Sequence, residues 1–149
     1  LAMLKAAETA KYVKDDAYII GSDTVVAFDG QVLEKPKDEE DAEKMLKKLS
    51  GKEHFVYTGV CIFRTKDCSA VCKSEKTVVR FKELSDETIK NYVKTGEPMD
   101  KAGSYGIQGG AALFAERLVG DYYNVMGLPV CRLGQLLREI APEIMEESE

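Results

Sequence analysis

Two stretches rich in β-branched and aromatic residues, 53–64 and 70–82, are separated only by the polar loop Thr65–Ser69. A connection that short joins antiparallel strands, because a parallel pair needs a crossover of about a dozen residues or more. A second antiparallel joint is expected at Asp29-Gly30, between residues 24–28 and Gln31-Val32-Leu33, since this dipeptide suits a tight hairpin turn. Upstream, Tyr18-Ile19-Ile20 reads as strand, with a kink at Gly21-Ser22-Asp23. Helices are interleaved with these strands. Leu1, Leu4, Ala7, Ala10 and Val13 predict a helix over residue 1 to about 14, ended by Asp15 and Asp16. Asp38 is placed to cap a helix with Ala42, Met45, Leu46 and Leu49 on one face, Lys47 and Lys48 in its last turns and Gly51 as its stop. Ser85 caps a third helix carrying Ile89, Tyr92 and Val93, and Pro129 opens a last one through Val130, Leu133, Leu137 and Ile140. Residues 97–110 and 120–127 read as loops, 111–119 as a strand, and the acidic tail 143–149 as disordered. The implied class is α/β, a mixed twisted sheet flanked by helices, in a single domain over residues 1–149.

Composition narrows the function classes. The 149 residues carry a formal net charge of −5 and no run of five or more basic residues, which argues against a nucleic-acid partner. Lys5, Glu8, Lys11 and Lys14 interrupt the opening helix where a signal peptide needs an unbroken apolar segment. A soluble, cytoplasmic protein with no membrane partner is expected. Cys61, Cys68, Cys72 and Cys131 form no Cys-x-x-Cys pair, and His54 has no second imidazole to complete a zinc site. The thiols are therefore expected to be reduced, and His54 structural.

Three segments could carry chemistry. Asp23, in Gly21-Ser22-Asp23-Thr24, puts a carboxylate beside a glycine in an otherwise apolar stretch, where it could hold Mg²⁺ or take a proton from water. The competing reading is a turn aspartate bonding its own backbone. Glu34-Lys35-Pro36 biases Lys35 toward an extended conformation and so aims its ammonium, unless the side chain is simply solvated. The stretch from Gly96 to Gly110 clusters glycines whose N–H groups could cradle phosphate oxygens, with Lys101 as a cation and Gln108 able to donate and accept at a base edge. Its spacings fit neither a P-loop nor a dinucleotide fingerprint, and a merely flexible loop is the alternative. The lack of a Ser-His-Asp set argues against acyl transfer.

Taken together, Ile20-Gly21-Ser22-Asp23-Thr24-Val25-Val26, Glu34-Lys35-Pro36, Leu49-Ser50-Gly51, Tyr57-Thr58-Gly59-Val60, Gly96-Glu97-Pro98, the run from Asp100 to Gly109 and Asn124-Val125-Met126-Gly127-Leu128-Pro129 resemble the Maf family over about residues 1–139. These are house-cleaning nucleoside triphosphate pyrophosphatases, also called septum-formation-inhibitor-like proteins. The resemblance implies hydrolysis between the α and β phosphates with Mg²⁺ or Mn²⁺, and a fold of two lobes around a central cleft, often as a homodimer. It implies Asp23 as proton acceptor and metal ligand, Lys5 and Lys35 beside the phosphates, and Thr24 and Gln108 as marks of substrate choice. Lys101, Gly106 and Thr58 complete the expected substrate contacts. Asp-Thr after the first strand and Ile-Gln-Gly in the glycine loop resemble the branch acting on dTTP and UTP, whereas a sister branch favouring 7-methyl-GTP carries Asp-Gln and a Glu. Family members begin with a strand and Ser-x-Ser-Pro-Arg-Arg, and this sequence is expected to lack both. The alternative expectation is a catalytically silent nucleotide-binding or regulatory relative, in some proteins fused to a methyltransferase-like domain.

Overall fold

The computed structural model describes residues 1–146. Its elements are helix α1 (Ala2–Ala10), strands β1 (Tyr18–Phe28) and β2 (Gln31–Leu33), helix α2 (Glu39–Leu49), strands β3 (Glu53–Arg64) and β4 (Ala70–Phe81), and helix α3 (Asp86–Lys94). Three short 3₁₀ turns, Glu97–Asp100, Ala102–Ser104 and Gly110–Leu113, lead to β5 (Ala115–Val119), followed by helices α4 (Tyr122–Met126), α5 (Val130–Ile140) and α6 (Pro142–Glu146). The α/β architecture is the one expected, with helices packed on a five-stranded sheet ordered β2-β1-β3-β4-β5.

The strand directions correct the expectation of a mixed sheet, since all four pairings among the described residues are antiparallel. The helical excursion through α2 does join two strands of the same direction, β2 and β3, but β1 lies between them. Both expected hairpins form, and Asp29 and Gly30 take φ of 51° and 74°, the left-handed pair that a tight hairpin turn demands. Asp38 accepts the Asp41 N–H at 2.8 Å and Ser85 accepts that of Thr88 at 3.1 Å, so both helices start where their caps predict.

Other boundaries differ. The opening helix stops at Ala10, short of residue 14. Residues 110–113, with no β-branched side chain, make a 3₁₀ turn in place of the start of a strand. The expected loop 120–127 contains α4, capped by the Asp121 side chain on the Tyr123 N–H at 2.8 Å and closed by Gly127 at φ 117°. Of the tail expected to be disordered, residues up to Glu146 belong to α6 and residues 147–149 lie outside the described residues. The expected kink at Gly21 is absent, and β1 runs through it without a break.

Apolar side chains collect at two places along the long strands. Val26, Val56, Val79 and Phe81 anchor the larger core with Leu46, Ile89, Ile107 and Phe114 from the helices and turns. Val60 and Ile62 pack with Leu136 of α5 in the smaller one. The register Val26↔Val56 and Ile20↔Ile62 puts these cores toward opposite ends of β1 and β3, with Ser22, Asp23 and Thr24 between them. This is the two-lobed arrangement around a central waist.

The thiols also differ from expectation. Cys61 and Cys72 stand directly opposite each other in the β3–β4 register, with Cα atoms 4.1 Å apart, and are joined as a disulfide. Cys68 and Cys131 are free and exposed. Among the described residues no helix is long and apolar enough to cross a membrane.

Candidate active site

β2 pairs only with Val26–Phe28, and beside the preceding stretch of β1 lies a cleft of about 810 Å³. Ser22, Asp23 and Thr24 all line it, and since side chains of successive residues point to opposite faces of a sheet, the cleft runs along the strand's edge. Seven of the eight residues singled out from sequence line this one space: Lys5, Asp23, Thr24, Lys35, Lys101, Gly106 and Gln108. They come from α1, β1, the segment after β2 and the glycine-rich turns, so only the fold brings them together.

Lys5 reaches Asp23 because Gly21 lets α1 lie directly on β1. A Cβ at Gly21 would overlap the Ala2 carbonyl oxygen and come within 3.0 Å of the Ala6 nitrogen. That close approach, and no turn, is what the glycine serves. The Lys5 ammonium then donates to Asp23 Oδ1 at 2.7 Å and to the Ser22 carbonyl at 3.2 Å. Asp23 is about a quarter exposed, so its carboxylate remains open to the cleft. Lys35 is exposed and precedes the buried Pro36, while the Glu34 carbonyl accepts the Gly103 N–H at 3.3 Å. These contacts tie the lysine's backbone to the turns across the cleft.

Thr58 is the residue that does not line the space. It is fully buried behind Thr24, sharing a hydroxyl hydrogen bond of 2.9 Å with it and donating to the Asn124 carbonyl at 3.1 Å. Its contact with substrate, as expected from sequence, gives way to a role of fixing the Thr24 hydroxyl. Asn124, also fully buried, donates to the Val56 carbonyl at 3.1 Å and to Thr77 Oγ1 at 3.0 Å, which bolts α4 to the sheet.

The glycine-rich segment is not a free phosphate cradle. Gly106 N–H donates to Tyr92 Oη at 3.0 Å and Gly110 N–H to Glu97 Oε2 at 3.3 Å, while the Gly96, Gly103 and Gly109 N–H groups donate to the Val93, Glu34 and Gly106 carbonyls, so all five of its glycine amides already have partners. Sequence reasoning misses both Tyr92 and Glu97 as site residues. Tyr92 reads there as a core residue of α3, and the only hint of Glu97's place is a carboxylate among glycines that leave it room. A Cβ at Gly109 would overlap that carboxylate, and one at Gly106 would sit 2.6 Å from Lys101 Cε. Gln108 stays exposed on a turn closed by the Gly109 N–H on the Gly106 carbonyl at 3.1 Å.

His54 is structural, as expected. It is fully buried, paired with Tyr105 Oη at 2.6 Å and set edge-on to Phe81, and burial pushes its pKa down to about 4. Among the described residues no three His, Cys, Asp or Glu side chains converge as a metal cage. Of the two carboxylates that line the cleft, Glu97 is engaged by Tyr92 and Gly110, which leaves Asp23 as the one that would hold a divalent cation and suits an ion that keeps several waters and binds through one or two carboxylates plus substrate phosphates.

Three relatives are about half identical to this chain over the stretches that align. Each is named dTTP/UTP pyrophosphatase. The protein of Alkaliphilus metalliredigens is 50% identical over 139 residues, 93% of this chain and 72% of the relative. That of Clostridium novyi is 50% identical over 140 residues, 94% and 73% respectively. That of Clostridium perfringens is 52% identical over 133 residues, 89% and 69%. Residues 1–140 match the family described as Maf-like protein. With the two-lobed α/β fold and the polar waist already described, the chain belongs to the Maf-like family.

Proposed function

We propose that the chain hydrolyses UTP and dTTP to the monophosphate and pyrophosphate. The observation that carries this reading is the convergence of Lys5, Asp23, Lys35 and Lys101 with Gln108 on one cleft. The names of its relatives support the choice of nucleotide. Three ammonium groups within one cleft offset the charge of a triphosphate, and phosphoryl chemistry asks mainly for positioning and such neutralisation. Asp23, held by Lys5 at 2.7 Å and open to the cleft, takes the proton of the attacking water. Asp23 is also the residue that would hold Mg²⁺ or Mn²⁺, whose charge would further neutralise the phosphates. Gln108 reads the base: its amide donates to O4 and accepts from N3–H of uracil or thymine, and cytosine, which reverses both demands, is matched only by the amide turned over, so the choice requires a fixed amide orientation. The Thr24 hydroxyl, oriented by Thr58, is a second contact for the substrate. A house-cleaning role belongs to the same reading, since hydrolysis to the monophosphate removes a triphosphate from the nucleotide pool.

The test is pyrophosphate release from UTP, dTTP, CTP, GTP and ATP in the presence of Mg²⁺. UTP and dTTP are expected to turn over at least about tenfold faster than CTP, roughly what one matched hydrogen-bonding edge contributes. Equal rates on all five would remove Gln108 from base reading, and no release from any would overturn the assignment.

A further inference from the structure

We propose that Tyr92 and Glu97 form a clamp that fixes the turn bearing Gln108 and thereby sets base selectivity; both are positioning residues. The inference rests on the reading of Gln108 given above and deepens it. Gln108 occupies the third position of a four-residue turn, Gly106 to Gly109, whose own bond runs from the Gly109 N–H to the Gly106 carbonyl at 3.1 Å. A turn of this kind, with an exposed glutamine and glycines at both ends, has little intrinsic rigidity.

Its two flanks are held from outside by one relay. Gly106 N–H donates to Tyr92 Oη at 3.0 Å, Tyr92 Oη donates to Glu97 Oε1 at 2.9 Å, and the other oxygen of the same carboxylate accepts the Gly110 N–H at 3.3 Å. The phenol and the carboxylate thus span the turn from one side of Gln108 to the other. Each end of the relay is itself anchored. Tyr92 is buried on α3 and meets Phe114 edge-on at 5.0 Å between ring centroids, and Glu97 directly precedes the buried Pro98. Burial holds the Tyr92 phenol above its ordinary pKa, so it keeps the proton that it donates to Glu97. The glycines have a matching purpose, since a Cβ at Gly109 would overlap the Glu97 carboxylate. Ile107, buried in the larger core, pins the turn from below and leaves Gln108 as its exposed tip.

The experiment measures binding of the non-hydrolysable α,β-imido analogues of UTP and CTP, with Mg²⁺, to the unaltered chain and to Tyr92→Phe, Glu97→Gln, Gln108→Ala and Tyr92→Phe/Gln108→Ala. Tyr92→Phe keeps the ring and its packing and removes only the hydroxyl, and thermal melting checks that each variant is folded. The preference for the uracil analogue is expected to fall about five- to tenfold in Tyr92→Phe, the effect of about one hydrogen bond, and similarly in Glu97→Gln. In the double variant, Tyr92→Phe is expected to cost no further selectivity, because a residue acting through Gln108 has nothing left to position. A merely structural role for Tyr92 would instead weaken both analogues alike. If Gln108→Ala destroys the preference while Tyr92→Phe and Glu97→Gln keep it, the clamp is overturned and the base reading stands. If Gln108→Ala itself keeps the preference, or the unaltered chain binds neither analogue, the base reading fails and the clamp with it.

Discussion

Replacing Gly21 by alanine tests whether the contact of α1 with β1 sets the catalytic geometry. The added Cβ would overlap the Ala2 carbonyl oxygen and crowd Ala6 at 3.0 and 3.1 Å, and all but one of these atoms belong to the helix backbone. No side chain can rotate away, so α1 must move off the strand by about 1 Å, at the roughly 1–3 kcal/mol typical of overpacking. Lys5 lies on that helix, and its 2.7 Å bond to Asp23 and 3.2 Å bond to the Ser22 carbonyl move with it. A misplacement of about 1 Å in a reacting group costs on the order of 10²-fold. Gly21→Ala is therefore expected to lose about 1–3 kcal/mol in urea unfolding and to slow pyrophosphate release from UTP by about 10²-fold. The activity loss should greatly exceed what the unfolded fraction explains. If the variant keeps both stability and rate within about twofold of the unaltered chain, the close approach does not hold the site together.

Gly134 offers the opposite case. It sits inside α5 with nothing within 4 Å of the point where an added methyl group would stand, and Gly134→Ala is expected to raise stability by about 0.5–1 kcal/mol in urea unfolding with no change in turnover. His54 makes stability depend on pH. Its pKa is about 4 in the folded chain against an ordinary 6.5, so the unfolded chain takes up a proton that the folded one refuses as pH falls below 6.5. Stability is expected to drop by about 1.4 kcal/mol per pH unit from this residue between pH 6.5 and 4, about 3 kcal/mol in all, with no contribution above that window. His54→Phe, though less stable at pH 7 through loss of the bond to Tyr105, should flatten that slope by about one proton in urea titrations at about pH 7, 6 and 5.

Local signals carry much of the fold. Asp38, Ser85, Asp29-Gly30 and the apolar faces of α2 and α3 each act within a few residues, and each behaves in the structure as its chemistry predicts. What depends on long-range register is not legible. Cys61 and Cys72 meet because β3 and β4 pair with those positions opposite, which no Cys spacing rule encodes. Gly21 reads as a kink because a sequence does not distinguish a glycine needed for its dihedral angles from one needed for space. At the site, Asp23, Lys35 and Gln108 stand out by position beside glycine or proline. Tyr92 and Glu97 do not, because a tyrosine on an apolar helix face looks like core until the turn that uses its hydroxyl is in place. Thr58 reads as a substrate contact since its neighbours Tyr57 and Gly59 share the motif, but strand alternation turns it inward onto Thr24.

Cleavage between the α and β phosphates, with Asp23 as the proton acceptor, is decided by identifying the products formed from UTP with Mg²⁺ by the unaltered chain and by Asp23→Asn. Asparagine keeps the shape and removes the charge that takes the proton from water. The unaltered chain is expected to yield UMP and pyrophosphate in equal amounts. In Asp23→Asn the rate is expected to fall by at least about 10²-fold, with a melting temperature close to that of the unaltered chain. UDP and inorganic phosphate as products, or near-normal pyrophosphate release by a folded Asp23→Asn variant, would contradict this mechanism.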